Sequence, residues 1–186
     1  ETRYILEDSG AEVLFTVAVL MPNVPLAECP SVKHVVLCEG AIAGTPSLED
    51  WLALGTAEFR TENMGPDDPA ALLYSSGTTG FPKGVTLSHH NIVSNIRTAA
   101  KHSGYRTGDR LALFLPLFHV FAQNYILNAG FEAGSTLVLF RRFVPDVVLP
   151  GIASEGITMF FAVPTIYIAL LNANVPQAAL ASIRYF

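Results

Sequence analysis

The chain has 186 residues, 51% of them apolar and 15% charged, with a formal net charge of −5 and a mean hydropathy of +0.40. That length buries about 70% of the unfolded surface, and the composition excludes disordered and collagen-like chains, because the 14 glycines are scattered rather than set at every third position. With 11 Lys and Arg against 16 Asp and Glu, and no basic run longer than Arg141-Arg142, there is no counterion-release drive toward a nucleic acid, so only a local phosphate site remains.

Along the chain, short apolar runs alternate with helical patterns. Strands are predicted at 13–16, 34–38, 70–74, 85–87, 111–115, 136–140, 157–161 and 182–186. Ser47 is placed to cap a short helix through Trp51, and Ser88 a longer one whose Ile92, Val93, Ile96, Ala99 and Ala100 share a face. A further helix is expected over 120–128, and Pro145 suits the first position of the next, which Pro150 should kink or stop. This order predicts an α/β fold of largely parallel sheets flanked by helices.

The stretch 55–69, with Pro66, Asp67, Asp68 and Pro69, reads as a polar linker in which the two aspartates form a solvated turn. A second break over 102–109 places a soft boundary near Thr107, dividing the chain into 1–106 and 107–186. Two apolar stretches are too interrupted to cross a membrane. The first, 111–130, contains Pro116, His119, Gln123 and Asn124; the second, 157–171, contains Pro164 and falls short of the about 20 residues required. Cys29 and Cys38 form no CxxC pair and support no disulfide framework, so the cytoplasm is the expected compartment, its membrane surfaces included. The first residues, Glu1-Thr2-Arg3-Tyr4, lack the order of a signal peptide and read as internal.

The segment most informative about function is Tyr74-Ser75-Ser76-Gly77-Thr78-Thr79-Gly80-Phe81-Pro82-Lys83-Gly84-Val85. From Ser75 to Gly84 it packs four hydroxyls, three glycines and one lysine into ten residues. Glycines let backbone amides approach a ligand closely, hydroxyls donate hydrogen bonds, and a lysine adds a mobile positive charge, a combination suited to phosphate oxygens. A Walker loop is excluded, because Pro82 precedes Lys83 and Gly84 follows it. The glycines at 77, 80 and 84 do not fit G-x-G-x-x-G either. Composition alone would favour a surface loop without a ligand, but the order of residues does not.

That order closely resembles the phosphate-loop signature of the adenylate-forming superfamily, which contains acyl-CoA synthetases, aryl-CoA ligases, beetle luciferases and the adenylation domains of peptide synthetases. Leu87-Ser88-His89-His90-Asn91 extends the likeness into the following helix and favours the acyl-CoA synthetase branch. A second segment, Leu115-Pro116-Leu117-Phe118-His119-Val120-Phe121-Ala122, resembles the family's acyl-site motif, with Ala122 where many relatives carry glycine. Taken alone, His119 reads as a core histidine; the neighbouring motif reverses that preference. Tyr4-Ile5-Leu6-Glu7-Asp8-Ser9-Gly10-Ala11 and Val163-Pro164-Thr165 also recur in the family and are given no chemistry.

The resemblance implies an incomplete part of an adenylate-forming N-terminal domain, with the phosphate loop (74–85) ending the first subdomain and the acyl-site motif (115–122) opening the second. It implies an ATP-dependent acid-thiol ligase that activates a carboxylic acid, expected to be fatty, as an acyl-adenylate and passes it to coenzyme A. Ser75, Ser76, Gly77, Thr78, Thr79, Gly80, Lys83 and Gly84 would bind the nucleotide. Lys83, Thr78 and His119 would act in catalysis, Thr78 would meet Mg²⁺, and His119, Phe118 and Phe121 would line the acyl pocket. Such chemistry relies on positioning and on neutralising charge at the leaving phosphates, with each charged hydrogen bond worth about 1.5–3 kcal/mol.

The expected partners are a small-molecule carboxylic acid and a nucleotide. The rival readings are a domain loading a carrier protein, a noncatalytic nucleotide-binding module and a structural α/β domain. The family's later motifs are not found: the one Thr-Glu pair, Thr61-Glu62, precedes the phosphate loop. The chain therefore reads as a central piece of a larger enzyme, inactive by itself and prone to self-association through exposed sheet edges.

Overall fold

The computed structural model describes residues 1–75, 80–173 and 175–186. Two compact units meet between His89 and His90. The sequence boundary near Thr107 differs in where it leaves the long helix α3 (His89–His102), whose Ile96 and Ala99 are buried with Ala129 in the second unit.

Unit 1 begins with α1 (Thr2–Ser9), closed by Gly10 at φ 62, a left-handed conformation that favours glycine. β1 (Val13–Val17) pairs in parallel with β2 (His34–Glu39), Val13 opposite His34. Val36 and Leu37 of β2 are buried with Cys29 and Leu6; both cysteines are free. α2 (Leu48–Ala53) opens on a complete capping box: the Asp50 amide donates to Ser47 Oγ and the Ser47 amide to Asp50 Oδ2, each at 3.1 Å. Between α2 and the next strand the chain is exposed apart from half-buried Gly65, whose amide donates to Asp68 Oδ2 at 2.6 Å. β3 (Pro69–Ser75) and β4 (Lys83–Ser88) then pair antiparallel, the exception among parallel pairs in the described residues.

Unit 2 is built on β5 (Arg110–Leu113), flanked in parallel by β6 (Thr136–Leu139) and β7 (Met159–Phe160). Successive side chains of β5 enter opposite cores. Leu111 and Leu113 pack with Ala122, Ile126, Met159 and Phe161. Ala112 joins Phe114, Val148, Ile152, Ile157 and Phe160 on the other face. This two-sided burial is why 111–115 reads as an unbroken apolar run. α5 (Pro145–Ser154) and α6 (Pro164–Asn172) contribute to the second core.

Two expectations are corrected, and a third, the helix over 120–128, is present with a different winding. Pro150 lies inside α5 and does not stop it: the lost amide donor affects one bond of a short helix, while fully buried Val148 and Ile152 on either side hold the segment against the sheet. The helix after 120 is wound as a π-helix (Phe121–Asn128), followed by α4 (Ala129–Glu132). Residues 182–186 form a single parallel bridge, Met159 to Tyr185, rather than a strand.

That last segment is fixed by a side chain. Arg184 Nε donates to Asp109 Oδ1 at 2.8 Å and its Nη2 donates to Oδ2. The Thr158 hydroxyl donates to Oδ1 at 2.8 Å and the Arg106 amide to Oδ2 at 2.6 Å. Asp109 is 3% exposed. Burial opposes its ionisation most strongly, but the bonds from Arg184, Thr158 and Arg106, with the guanidinium charge, hold the carboxyl below its ordinary range.

Candidate functional site

The antiparallel register of β3 and β4 sets Ser75 opposite Lys83 and Tyr74 opposite Gly84, so the two ends of the glycine-rich segment face each other. Lys83 is exposed and makes no ion pair among the described residues, leaving its ammonium available to a polyanion. Ser76, Gly77, Thr78 and Thr79 lie outside the described residues, and with them the metal role expected of Thr78.

Two glycines here have distinct physical reasons. Gly80 has φ +101, a conformation that strains any residue with a Cβ, although the space around it is open. Gly84 is crowded: a Cβ there would lie 3.1 Å from Leu72 Cδ1 and 3.3 Å from Tyr74 Cε1 and Cζ, so those side chains would have to give by a few tenths of an ångström. The Tyr74 ring therefore sits against the residue next to Lys83. Its hydroxyl donates to Asp8 Oδ2 of α1 at 2.6 Å, a bond that, together with burial, pushes the phenol up to about 12. After the glycines, the Phe81 ring meets Tyr4 of α1 at a centroid distance of 5.8 Å, and Pro82 is buried. A cleft of about 320 Å³ is lined by Glu1, Tyr4, Gly80, Phe81 and Pro82. The sequence reading gave the Tyr4–Ala11 segment no chemistry and so missed these contacts; its recurrence beside the phosphate-loop match was the available signal.

The His119 segment belongs to unit 2 and is described within it. β5 ends at Leu113, Phe114 is buried, and the chain turns at Pro116, whose carbonyl accepts from the His119 amide at 3.1 Å. His119 is exposed, which sets aside the core-histidine reading. The Phe121 amide donates to His119 Nδ1 at 3.3 Å. That nitrogen therefore acts as the acceptor of this bond. Phe118 is 86% exposed, whereas Phe121 is half-buried and stacks on Tyr125 at 5.4 Å. Ala122 is fully buried in the core and lies away from the exposed surface that carries His119. A π-helix, which often marks functional sites, begins at Phe121, two residues beyond His119.

No group of three or more His, Cys, Asp or Glu side chains among the described residues could hold a metal ion. No described helix is long and apolar enough to cross a membrane.

A family model of AMP-binding enzymes matches residues 1–186. The chain belongs to the AMP-binding enzyme family. It is 33% identical to 4-coumarate–CoA ligase 3 of Oryza sativa subsp. japonica over 96% of this chain and 33% of the rice protein. ATP-bound MatB from Rhodopseudomonas palustris superposes with a TM-score of 0.87 at 27% identity, covering 100% of this chain and 36% of that one. The anthranilate CoA ligase AuaEII, in complex with anthranoyl-AMP, superposes at 0.87 with 31% identity, over 99% of this chain and 37% of that one. The chain spans about a third of the length of the curated relatives it matches over most of its own length.

Proposed function

We propose that this AMP-binding chain carries the nucleotide-gripping part of an AMP-forming acid–CoA ligase. In this reading the carboxylate of an apolar acid attacks the α-phosphorus of ATP, pyrophosphate leaves, and the acyl-adenylate passes to coenzyme A. The observation that carries the reading is the β3–β4 mouth, where Ser75 faces Lys83, which has no ion pair among the described residues, beside two glycines that admit no larger residue without strain or crowding. Lys83 would neutralise charge developing on the leaving phosphates, and Ser75 with the glycine amides would orient them. Mg²⁺ would enter with the phosphates, which supply most of its ligands in such sites, and Thr78 is assigned to it from the motif.

The exposed His119, with Phe118 and Phe121 near it in sequence, is assigned to the acid. The apolar segment suggests a fatty acid, while the names of the relatives, 4-coumarate and anthranilate ligases, add aromatic acids as candidates. The test is acid-dependent ATP–pyrophosphate exchange by the full-length protein over a panel of fatty and aryl acids, with coenzyme A and a phosphopantetheinylated carrier compared as acceptors. Lys83→Ala should lower exchange by about ten- to a hundredfold, the loss of one charged hydrogen bond. Exchange unchanged in that variant, or absent from the wild type with every acid, would contradict the reading.

A further inference from the structure

We infer that helix α1 braces the glycine-rich segment at both ends, Asp8 holding Tyr74 where the chain enters it and Tyr4 holding Phe81 where the chain leaves. The inference rests on the reading of Ser75–Gly84 as the nucleotide site and names positioning residues for it.

Tyr4 and Asp8 are four residues apart on an eight-residue helix, so they share one face, one turn apart. That face meets two places, one just before Ser75 and one at Phe81, just after Gly80. The hydroxyl of Tyr74, the residue before Ser75, bonds Asp8 Oδ2 at 2.6 Å across 66 residues of sequence. The ring of Phe81, two residues before Lys83, lies 5.8 Å from that of Tyr4. The helix is itself anchored, by buried Leu6 on another face and by Arg3, whose Nη1 bonds Glu28 Oε2 at 2.7 Å. A brace needs that fixed end, since a helix free to drift would hold nothing.

The contact continues from the brace to the charged group. The Tyr74 ring, held at its hydroxyl, lies so close to Gly84 that a methyl group there would have to push Leu72 and the ring aside by a few tenths of an ångström. Gly84 follows Lys83 directly, and Lys83 is the β4 partner of Ser75. Releasing the hydroxyl frees the ring that sets the height of the Lys83–Gly84 backbone over β3. Tyr74, Asp8, Tyr4 and Phe81 are therefore positioning residues, which act on the phosphates through Ser75 and Lys83.

The experiment measures ATP–pyrophosphate exchange of the full-length protein with both substrates varied. Tyr74→Phe keeps the bulk of the ring and removes only the hydroxyl by which Asp8 holds it; Asp8→Ala removes the acceptor. Each should raise the KM for ATP about tenfold, the value of one hydrogen bond to a charged group, and leave the KM for the acid unchanged. Asp8→Asn, whose side-chain carbonyl still accepts from the phenol, should recover most of the loss. The Asp8→Ala/Tyr74→Phe double variant should be no worse than either single one. A purely structural pair would lower the melting temperature and the active fraction without moving the KM for ATP. Should Asp8→Ala fail to fold, Tyr74→Phe alone decides. An unchanged KM for ATP in Tyr74→Phe, or additive losses in the double variant, overturns the brace. Lys83→Ala is run in parallel: if it impairs exchange while Tyr74→Phe does not, only the brace is wrong, and if both are silent, the nucleotide reading fails first.

Discussion

In unit 1 the residues flanking the glycine-rich segment are exposed or half-buried and held by separate contacts, Asp8 on Tyr74 and Tyr4 on Phe81. In unit 2 the segment carrying His119 leaves a strand whose Leu111, Ala112 and Leu113 are buried and enters a π-helix that buries Ala122, Asn124 and Ile126. One region is held by a few polar and aromatic contacts, the other hangs from a core. The difference teaches where single substitutions act. In unit 1 they should alter nucleotide handling more than folding, and in unit 2 the supporting residues should govern folding while the displayed ones govern chemistry.

The largest effect that would sharpen this contrast is at Phe160, fully buried and in ring contact with Phe114 and Tyr167. Phe160→Ala should cost about 3–5 kcal/mol of stability in a urea titration of the full-length protein. A loss below about 1 kcal/mol would show that the core does not carry the unit.

Next comes Asp109→Ala, which leaves Arg184 without its partner. Because Arg184 retains 28% side-chain exposure, the cost should fall at the lower end for breaking a buried pair, about 3 kcal/mol. The pH dependence has a definite sign. The folded carboxyl titrates below its unfolded value, so its stabilisation is present above about pH 3.9 and is lost as pH falls through the lower folded value. Urea midpoints measured from neutral to acidic pH should fall in the wild type, and this component should vanish in Asp109→Asn. The smallest effect on folding is expected at the displayed residue: His119→Ala should change stability by less than about 0.5 kcal/mol while lowering adenylation. A large stability loss there would erase the distinction between support and display.

Much of this arrangement was legible in the sequence, and the failures have physical causes. The strand over 111–115 was readable because both its faces are covered, which leaves a run of apolar residues with no polar alternation. Ser47 was readable as a cap because a capping box is local, complete within four residues. Pro150 misled because local propensity was opposed by buried neighbours on both sides. The π-helix carries no distinct apolar period over eight residues, so only its existence as a helix could be foreseen. Asp109 read as part of a polar break, since its partners Thr158 and Arg184 are 49 and 75 residues away. At the site, Ser75, Gly80, Lys83 and Gly84 were visible as a motif, but Asp8 and Tyr4 were not, because a hydrogen bond spanning 66 residues leaves no trace in spacing.

The central claim is that the paired ends of β3 and β4 present a donor-lined grip for nucleotide phosphates. Calorimetric titration of ATP into the full-length protein and its Lys83→Ala variant tests it most directly. Saturable binding that weakens about tenfold or more in the variant is the predicted result; superimposable isotherms, or no heat from the wild type, would contradict it.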